Sequence, residues 1–461
     1  MSARRRVAVI GSGIAGLGAA YRLAPSCDVT VFEADSRLGG HAHTVDLTLS
    51  GPGGDITHGV DTGFLVFNRR TYPRLVALFA ELGVECAASE MSFSVQAPRA
   101  GAFGGGRLEW AGTNLNTVFA DRGNLLRPRF HGMLVDLMRF NRLATELAVR
   151  GADAQLAQPL ESFLADHRFG TAFRDDYLLP MIGCIWSCPT AQMLRFPVGT
   201  LIRFCHNHGL LQVRERPQWY TVRGGSRQYV DKLASRIGTV RLSTPVLGLS
   251  RDPAFAATHG GRVALRSARG TEAFDDVVLA CHAPQALAML DDASLDERRA
   301  LAAIGYQDNE AVLHTDERLL PRRRSAWAAW NYESGGAGGA GDSRVCLHYL
   351  LNLLQPLPWK QSVIVSLNPL HEPRPETVLE RIHYAHPVFD NAAIAAQEQL
   401  AALQGRSHVW FCGAWTGYGF HEDGLRSGLL AADHILARQA HLSGVHVHAP
   451  ELDDVPMREA A

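Results

Sequence analysis

A strand, a glycine-rich turn and a helix follow one another without interruption in residues 7–24 of this 461-residue chain. Val7 to Ile10 is a short apolar run of the kind buried in a parallel sheet. It feeds into Gly11-Ser12-Gly13-Ile14-Ala15-Gly16 and then a helical pattern from Ile14 to about Ala24. In such a fingerprint Gly11 permits the tight turn, Gly13 lets the backbone approach a pyrophosphate, and Gly16 lets the helix pack on the strand. The helix start offers unpaired N–H groups to the phosphates. A second strand, Val29 to Glu33, ends in an acid placed to accept hydrogen bonds from a ribose diol. These features predict an α/β chain with a Rossmann-like domain, a βαβ unit on a central parallel sheet, that binds a dinucleotide with a free ribose 2′-OH.

Arg37-Leu38-Gly39-Gly40 extends the βαβ unit, and here the sequence resembles the flavin-containing amine oxidoreductase superfamily of monoamine oxidases, protoporphyrinogen oxidases and carotenoid desaturases. The resemblance implies noncovalently bound FAD in preference to NAD. Ala34 and Arg37 follow the acid, and the Gly39-Gly40 pair lies along the cofactor. His41 stands where the superfamily often has an arginine. Thr62, Gly63 and Phe64 match a stretch that passes near the flavin ring, and Val246 matches a small apolar residue near the adenine. The full pattern looks closest to a bacterial group described as predicted NAD/FAD-binding proteins.

A net charge of −1 supplies no long-range field for nucleic acid. The eight cysteines are scattered without a C-x-x-C pair, which fits a reduced cytoplasmic setting. Only Lys232 and Lys360 are lysines among 45 basic residues, a composition suggesting a GC-rich bacterial genome. Arg4 to Arg6 before an apolar run imitate a signal peptide, but the βαβ unit uses the same residues. No apolar stretch of about 20 residues predicts a spanning helix.

Hydrophobic content of 46% supports two domains. The expected division is a discontinuous FAD-binding domain of residues 1–91, 218–291 and 405–440, an inserted α+β substrate domain of residues 92–217 and 292–404, and a mobile tail, 441–461. His41 to Leu49 and the run ending at Asp61 read as a hairpin, and Thr71 to Leu82 as a helix stopped by Gly83. A glycine-rich hairpin is expected at Gly101 to Gly106. Helices are expected near Arg129 to Val149, Pro159 to His167 and Ala172 to Cys184. Asn124 to Arg150 is basic and amphipathic, a candidate peripheral contact with the inner face of a membrane. Tyr220 to Ser226 marks the return to the first domain. Val240 to Leu249, Arg262 to Ser267 and Phe274 to Ala280 read as strands. Glu310 to Thr315, Ser325 to Tyr332, Arg344 to Leu350 and Ser362 to Asn368 read as one antiparallel sheet, with Gly335 to Gly341 a flexible loop.

Trp410 to Gly428 is the second strong signal, a strand, a glycine loop and a helix beginning near Asp423. It is similar to the superfamily's C-terminal FAD motif, which implies that Gly413, Ala414, Asp423, Gly424 and Leu425 meet the flavin end of the cofactor. His421 and Tyr418 are catalytic candidates on the loop before that helix. Glu310 is a third, because it sits about where many amine oxidases place a lysine. Trp415, Tyr418, Phe420 and His421 suit an apolar substrate. Cys184 and Cys188 are one helical turn apart and read as packed thiols. His206 and His208 lack further ligands, so no metal is expected.

The resulting expectation is an FAD-dependent oxidoreductase that moves hydride from a substrate C–H to flavin N5, oxidising or desaturating a fatty acyl or other lipid. Related bacterial proteins are associated with lipid-modifying methyltransferases. An undefined acceptor would reoxidise the flavin. The alternatives are an amine oxidase producing hydrogen peroxide and a structural or regulatory flavin-binding subunit without turnover.

Overall fold

The computed structural model describes residues 4–98, 106–151, 156–186, 190–212, 216–258, 260–335 and 345–442. The tip of the hairpin expected at 101–106, Cys188, most of the loop at 335–341 and the tail from 443 lie outside the described residues.

A five-stranded parallel sheet forms around β1 (Arg6–Ile10), which pairs with β2 (Asp28–Phe32) on one side and Asp276–Leu279 on the other. Thr239–Arg241 and Val409–Phe411 complete its edges. Val7, Ala8 and Val9 are fully buried, because a strand covered on both faces has no polar side to alternate with. The first helix, α1 (Ile14–Leu23), and the C-terminal helix, His421–Leu442, pack on one face. The other face rests on a second core in which Leu279 and Phe411 meet Leu301, Ala396 and Leu400.

The run expected as a single strand from Val240 to Leu249 divides. Thr239–Arg241 stays in the parallel sheet, whereas Val246–Ser250 opens a three-stranded antiparallel sheet with Val263–Ser267 and Gly270–Phe274. The break has a local cause. Ser243 takes a left-handed φ of 46°, and Pro245 has no N–H to give a ladder.

The second large sheet has seven strands, in the order Val378–Pro387, Tyr306–His314, Ile364–Leu367, Cys346–Leu350, Trp330–Glu333, Phe93–Pro98 and Arg107–Ala111. The four runs expected as one antiparallel sheet do pair antiparallel, and Trp330–Glu333 then joins Phe93–Pro98 in parallel. Val378–Pro387 and the helix Asn391–Leu403 were not anticipated. Helices cover the sheet, including Pro128–Arg150, which buries Phe130, Met133, Phe140, Ala144 and Leu147 along one stripe. Among the described residues no helix is long and apolar enough to cross a membrane.

Candidate functional site

A cavity of about 690 Å³ lies where the parallel sheet, the seven-stranded sheet and the helical layer meet. Gly11, Ser12, Gly13, Ala15, Glu33, Ala34 and Val246 line one end, and Gly413, Ala414, Tyr418 and His421 line it from the far end of the chain.

The glycine turn is built for close backbone approach. A Cβ on Gly16 would fall 1.9 Å from the Gly11 carbonyl oxygen, so only glycine lets α1 sit this near β1. Gly13 caps α1 without a side-chain bond, and no acid occupies the first turn, which leaves the helix start open to an anion. Glu33 Oε2 accepts hydrogen bonds from the Ser12 N–H at 2.8 Å and from the Ser12 hydroxyl, locking the turn to the end of β2. Gly39 and Gly40, both at positive φ, fold the next loop back so that Gly39 bridges to Gly13. Arg37 does not line the cavity; its guanidinium donates to the Gly40 carbonyl at 2.8 Å and so shapes this loop.

His41 enters the cavity directly after that loop, and its Nε2 is buried with no partner among the described residues. Its ring stacks on Tyr384 at 4.9 Å, and His386 and His282 lie 5.3 and 6.3 Å away. Burial, then the neighbouring His386 and His282, hold His41 well below the ordinary histidine range. A glycine cradle, an open helix start, a carboxylate at the end of β2 and an unpaired ring nitrogen together fit a dinucleotide.

At the other end, Gly63 passes so close to His41 that a Cβ would lie 2.3 Å from the His41 carbonyl oxygen. Thr62 joins the Tyr384 hydroxyl at 2.8 Å. Phe64 stacks face to face on His421 at 3.8 Å. The Tyr229 hydroxyl is 2.6 Å from His421 Nε2, and burial pushes the imidazole down to about 3. His421 is therefore a neutral ring near neutral pH.

Asp423, Gly424 and Leu425 are absent from the cavity wall and act behind it. Asp423 Oδ2 accepts from the Tyr418 and Phe420 N–H groups at 3.0 Å, fixing the loop that carries Tyr418. Gly424 packs against Ile14, and Leu425 fills the space beside Gly18. The expected open N–H groups at this helix start are partly used, since Gly424 N–H donates to the Phe420 carbonyl. The chain's own Glu422 and Asp423 also occupy the first turn. Glu310 lies away from the cavity, 2.7 Å from Arg381.

Tyr384, His386 and His282 were missed by the sequence reading, as were Trp186, Phe204, Trp219, Trp330 and Tyr349, which form an aromatic wall. His208, weighed only as a metal ligand, lines this wall, stacked on Phe204 at 3.9 Å. Cys184 also lines the cavity, with burial pushing its thiol well up. On the opposite face of the seven-stranded sheet, Glu333, Cys346 and His348 bring three potential metal donors within 4.8 Å. Those groups are already joined in a hydrogen-bond chain running from Arg107 through Glu333 and His348 to Ser366 and His314.

Residues 14–349 match the family model described as flavin containing amine oxidoreductase. A stretch of 42 residues is 55% identical to protoporphyrinogen oxidase 2, chloroplastic/mitochondrial, of Arabidopsis thaliana, spanning 9% of this chain and 8% of that protein. Two solved structures share the fold. The CLA-producing fatty acid isomerase from P. acnes has a TM-score of 0.63 at 16% identity, covering 95% of this chain and 99% of its own. Cyclohexylamine oxidase from Brevibacterium oxydans IH-35A has a TM-score of 0.64 at 17% identity, with 95% and 99% covered. At such identities the likeness speaks for architecture alone. With the family model covering most of its length, the chain belongs to the flavin-containing amine oxidoreductase family and is a flavin-dependent oxidoreductase.

Proposed function

We propose that the protein binds FAD noncovalently along the cavity and oxidises or desaturates an apolar, lipid-like substrate, passing the electrons on to a separate acceptor. Bound FAD would supply the hydride-accepting chemistry. Glu33 would hold the adenosine ribose, the start of α1 the diphosphate, and Val246 the adenine side. Thr62 to Phe64, Gly413 and Ala414 would border the flavin. The chain's remaining task is to orient substrate and exclude water, which the aromatic wall of Trp186, Phe204, Trp330 and Tyr349 is suited to do.

The observation that carries the substrate class is the charge of the wall. Among the described residues lining the cavity, Glu33 is the only carboxylate, and it sits at the nucleotide end, bonded to Ser12. A protonated amine at the aromatic end would be buried without a counter-charge, whereas an acyl chain loses nothing there. The discontinuous unit of residues 1–91, 218–291 and 405–440 would hold the cofactor, with the rest of the cavity supplied by 92–217 and 292–404. The exposed ridge of Leu115, Leu125, Leu126, Val135 and Met138 is where the protein would touch a membrane surface.

Anaerobic mixing of the yellow holoprotein with fatty acyl lipids and with a panel of amines tests the proposal. Flavin bleaching by the lipids supports it. Bleaching by amines, with hydrogen peroxide on admitting air, would replace it with an amine oxidase. A flavin that neither class reduces, and that photoreduction followed by candidate acceptors reoxidises only slowly, would point to a structural subunit.

A further inference from the structure

Three histidines gather in the cavity, centred on His41. His41, His282 and His386 come from three separate segments, the loop after Gly40, the start of the helix Ala283–Met289 and the strand Val378–Pro387, and all three line the cavity. His41 adjoins the phosphate end directly, since a Cβ on Gly40 would meet the Gly13 Cα at 3.3 Å. Its Nε2 is a buried group with no hydrogen-bond partner among the described residues, which leaves it open to bond a ligand. Asn309 Nδ2 lies 2.8 Å from His386 Nδ1, with its own Oδ1 engaged by Asn368, so His386 Nδ1 is the acceptor and its Nε2 carries the proton. His282 is held flat on Tyr306 at 4.4 Å.

Among the described residues no carboxylate is paired with this cluster, and the only acid acting on it is exposed Asp308 beside His282. From its own loop, Arg37 is turned to backbone carbonyls and His43 lies 3.3 Å from the Tyr384 hydroxyl. Glu33, at the end of β2, is bonded to Ser12. Asp61, at the end of Gly54–Asp61, is bonded to Thr44 and Ser226. The strand Tyr306–His314 contributes exposed Asp308 near His282, along with Tyr306 itself. Tyr384 stacks on His41 from the facing strand, and His421 approaches from the C-terminal helix with its Nε2 on Tyr229.

Resting on the reading of this site as an FAD site, we propose that His41, His282 and His386 form the anion-holding wall for the cofactor's diphosphate. Cofactor binding then draws a proton from solvent onto the cluster, chiefly onto His41. A proton taken up gives His41 two N–H donors and a positive charge facing the dianion, and nothing is oxidised or reduced in the step. In the ligand-free protein the rings are held neutral by burial and by one another, with His386 pushed down to about 4. A dianion beside them reverses that balance. Retention of FAD therefore falls as pH rises through the value His41 acquires in the complex, by up to about tenfold per pH unit for one linked proton.

The test is dissociation of FAD from the holoprotein, followed by the fluorescence of released FAD between about pH 6 and about pH 9. Calorimetric FAD rebinding in buffers of different ionisation heat counts the protons directly. Wild type is expected to lose FAD as pH rises and to take up close to one proton on rebinding. The His41→Arg variant is expected to keep FAD with a flat pH profile and no uptake, because guanidinium carries its charge throughout this range. His386→Gln serves as a second variant should His41→Arg fold poorly, and is expected to lessen the uptake. Firm FAD binding with no proton uptake, or an unchanged pH profile in both variants, overturns the inference while leaving FAD binding intact. A wild-type protein that retains no flavin at any pH overturns the site reading itself.

Discussion

The Tyr229 hydroxyl and the His421 Nε2 meet at 2.6 Å, and the His421 ring is clamped flat on Phe64 with 11° between the planes. Burial raises the Tyr229 phenol well above its ordinary range, so the hydroxyl keeps its proton and is able to donate to His421. A hydroxyl that donates here would place the His421 proton on Nδ1. His421→Ala is expected to keep FAD while slowing substrate-driven flavin reduction on the order of 10²-fold if the ring takes part in proton transfer. Tyr229→Phe should slow it less, by releasing the tautomer. Tyr418→Phe tests the neighbouring hydroxyl in the same way. Stopped-flow bleaching at wild-type rates in all three variants would reduce these side chains to packing.

Glu33→Gln should weaken FAD by about 1 to 3 kcal/mol, the range of a hydrogen bond to a charged group. The loss has two origins, because Glu33 also accepts from the backbone and hydroxyl of Ser12. Ser12→Ala, removing only the hydroxyl, should cost less than Glu33→Gln in an equilibrium FAD titration. The opposite ranking would mean that the carboxylate serves the turn and not the ribose.

The crossing of α1 with the C-terminal helix depends on glycine at unequal depths. A Cβ on Gly428 would fall 2.1 Å from the Ala15 carbonyl oxygen, whereas one on Gly424 would meet the Ile14 Cγ2 methyl at 2.9 Å. A methyl can turn aside and a helix carbonyl cannot. Gly428→Ala should therefore cost at least the 1 to 3 kcal/mol typical of overpacking, roughly the upper end, and Gly424→Ala less. Thermal unfolding of the two variants checks the order, with equal midpoints counting against it.

Asp61 ties the hairpin Thr44–Asp61 to the returning chain through Thr44 and Ser226, yet burial outweighs those bonds and pushes its carboxyl up to about 6. A carboxyl raised on folding binds its proton more tightly in the native state. Its contribution is fully present below the unfolded value near 4 and is lost as pH rises through about 6. Melting points between these limits should decline with pH in wild type and decline less in Asp61→Asn. Parallel slopes would show that Asp61 does not carry the effect.

The basic helix Pro128–Arg150 is less charged in practice than its composition suggests, because Arg127, Arg129 and Arg139 pair with Asp121, Asp176 and Asp136. The segment just before it carries exposed apolar side chains, with Leu126 88% and Leu115 78% exposed. Vesicle sedimentation should then fall on Leu126→Ser with Leu115→Ser and change little with salt. A steep salt dependence with no effect of the leucines would restore the arginines as the contact.

Both glycine motifs were readable because they satisfy backbone demands that few other sequences meet, such as the sharp turn at Gly11 and the helix contact at Gly16. The aromatic wall was not, since Trp186, Phe204, Trp330 and Tyr349 belong to four segments brought together only by tertiary packing. Glu310 shows a finer difficulty. Its strand was anticipated, but side chains alternate, and Asn309 is the residue opposite Tyr384 while Glu310 stands opposite His383. Val378–Pro387, the source of Tyr384 and His386, mixes Glu, Arg, two histidines and a tyrosine before a proline and shows no clean period of two.

The placement of β1 between Asp28–Phe32 and Asp276–Leu279 has a consequence for how the protein is made. On a ribosome the nucleotide turn emerges well before one neighbour of its strand, since Asp276–Leu279 lies more than 250 residues after Val7 to Ile10. The helix that braces Ala15 through Gly428 comes later still. The cofactor cradle is therefore incomplete until Gly428 has been made. Until that point the apolar strand Val7 to Ile10 must be shielded.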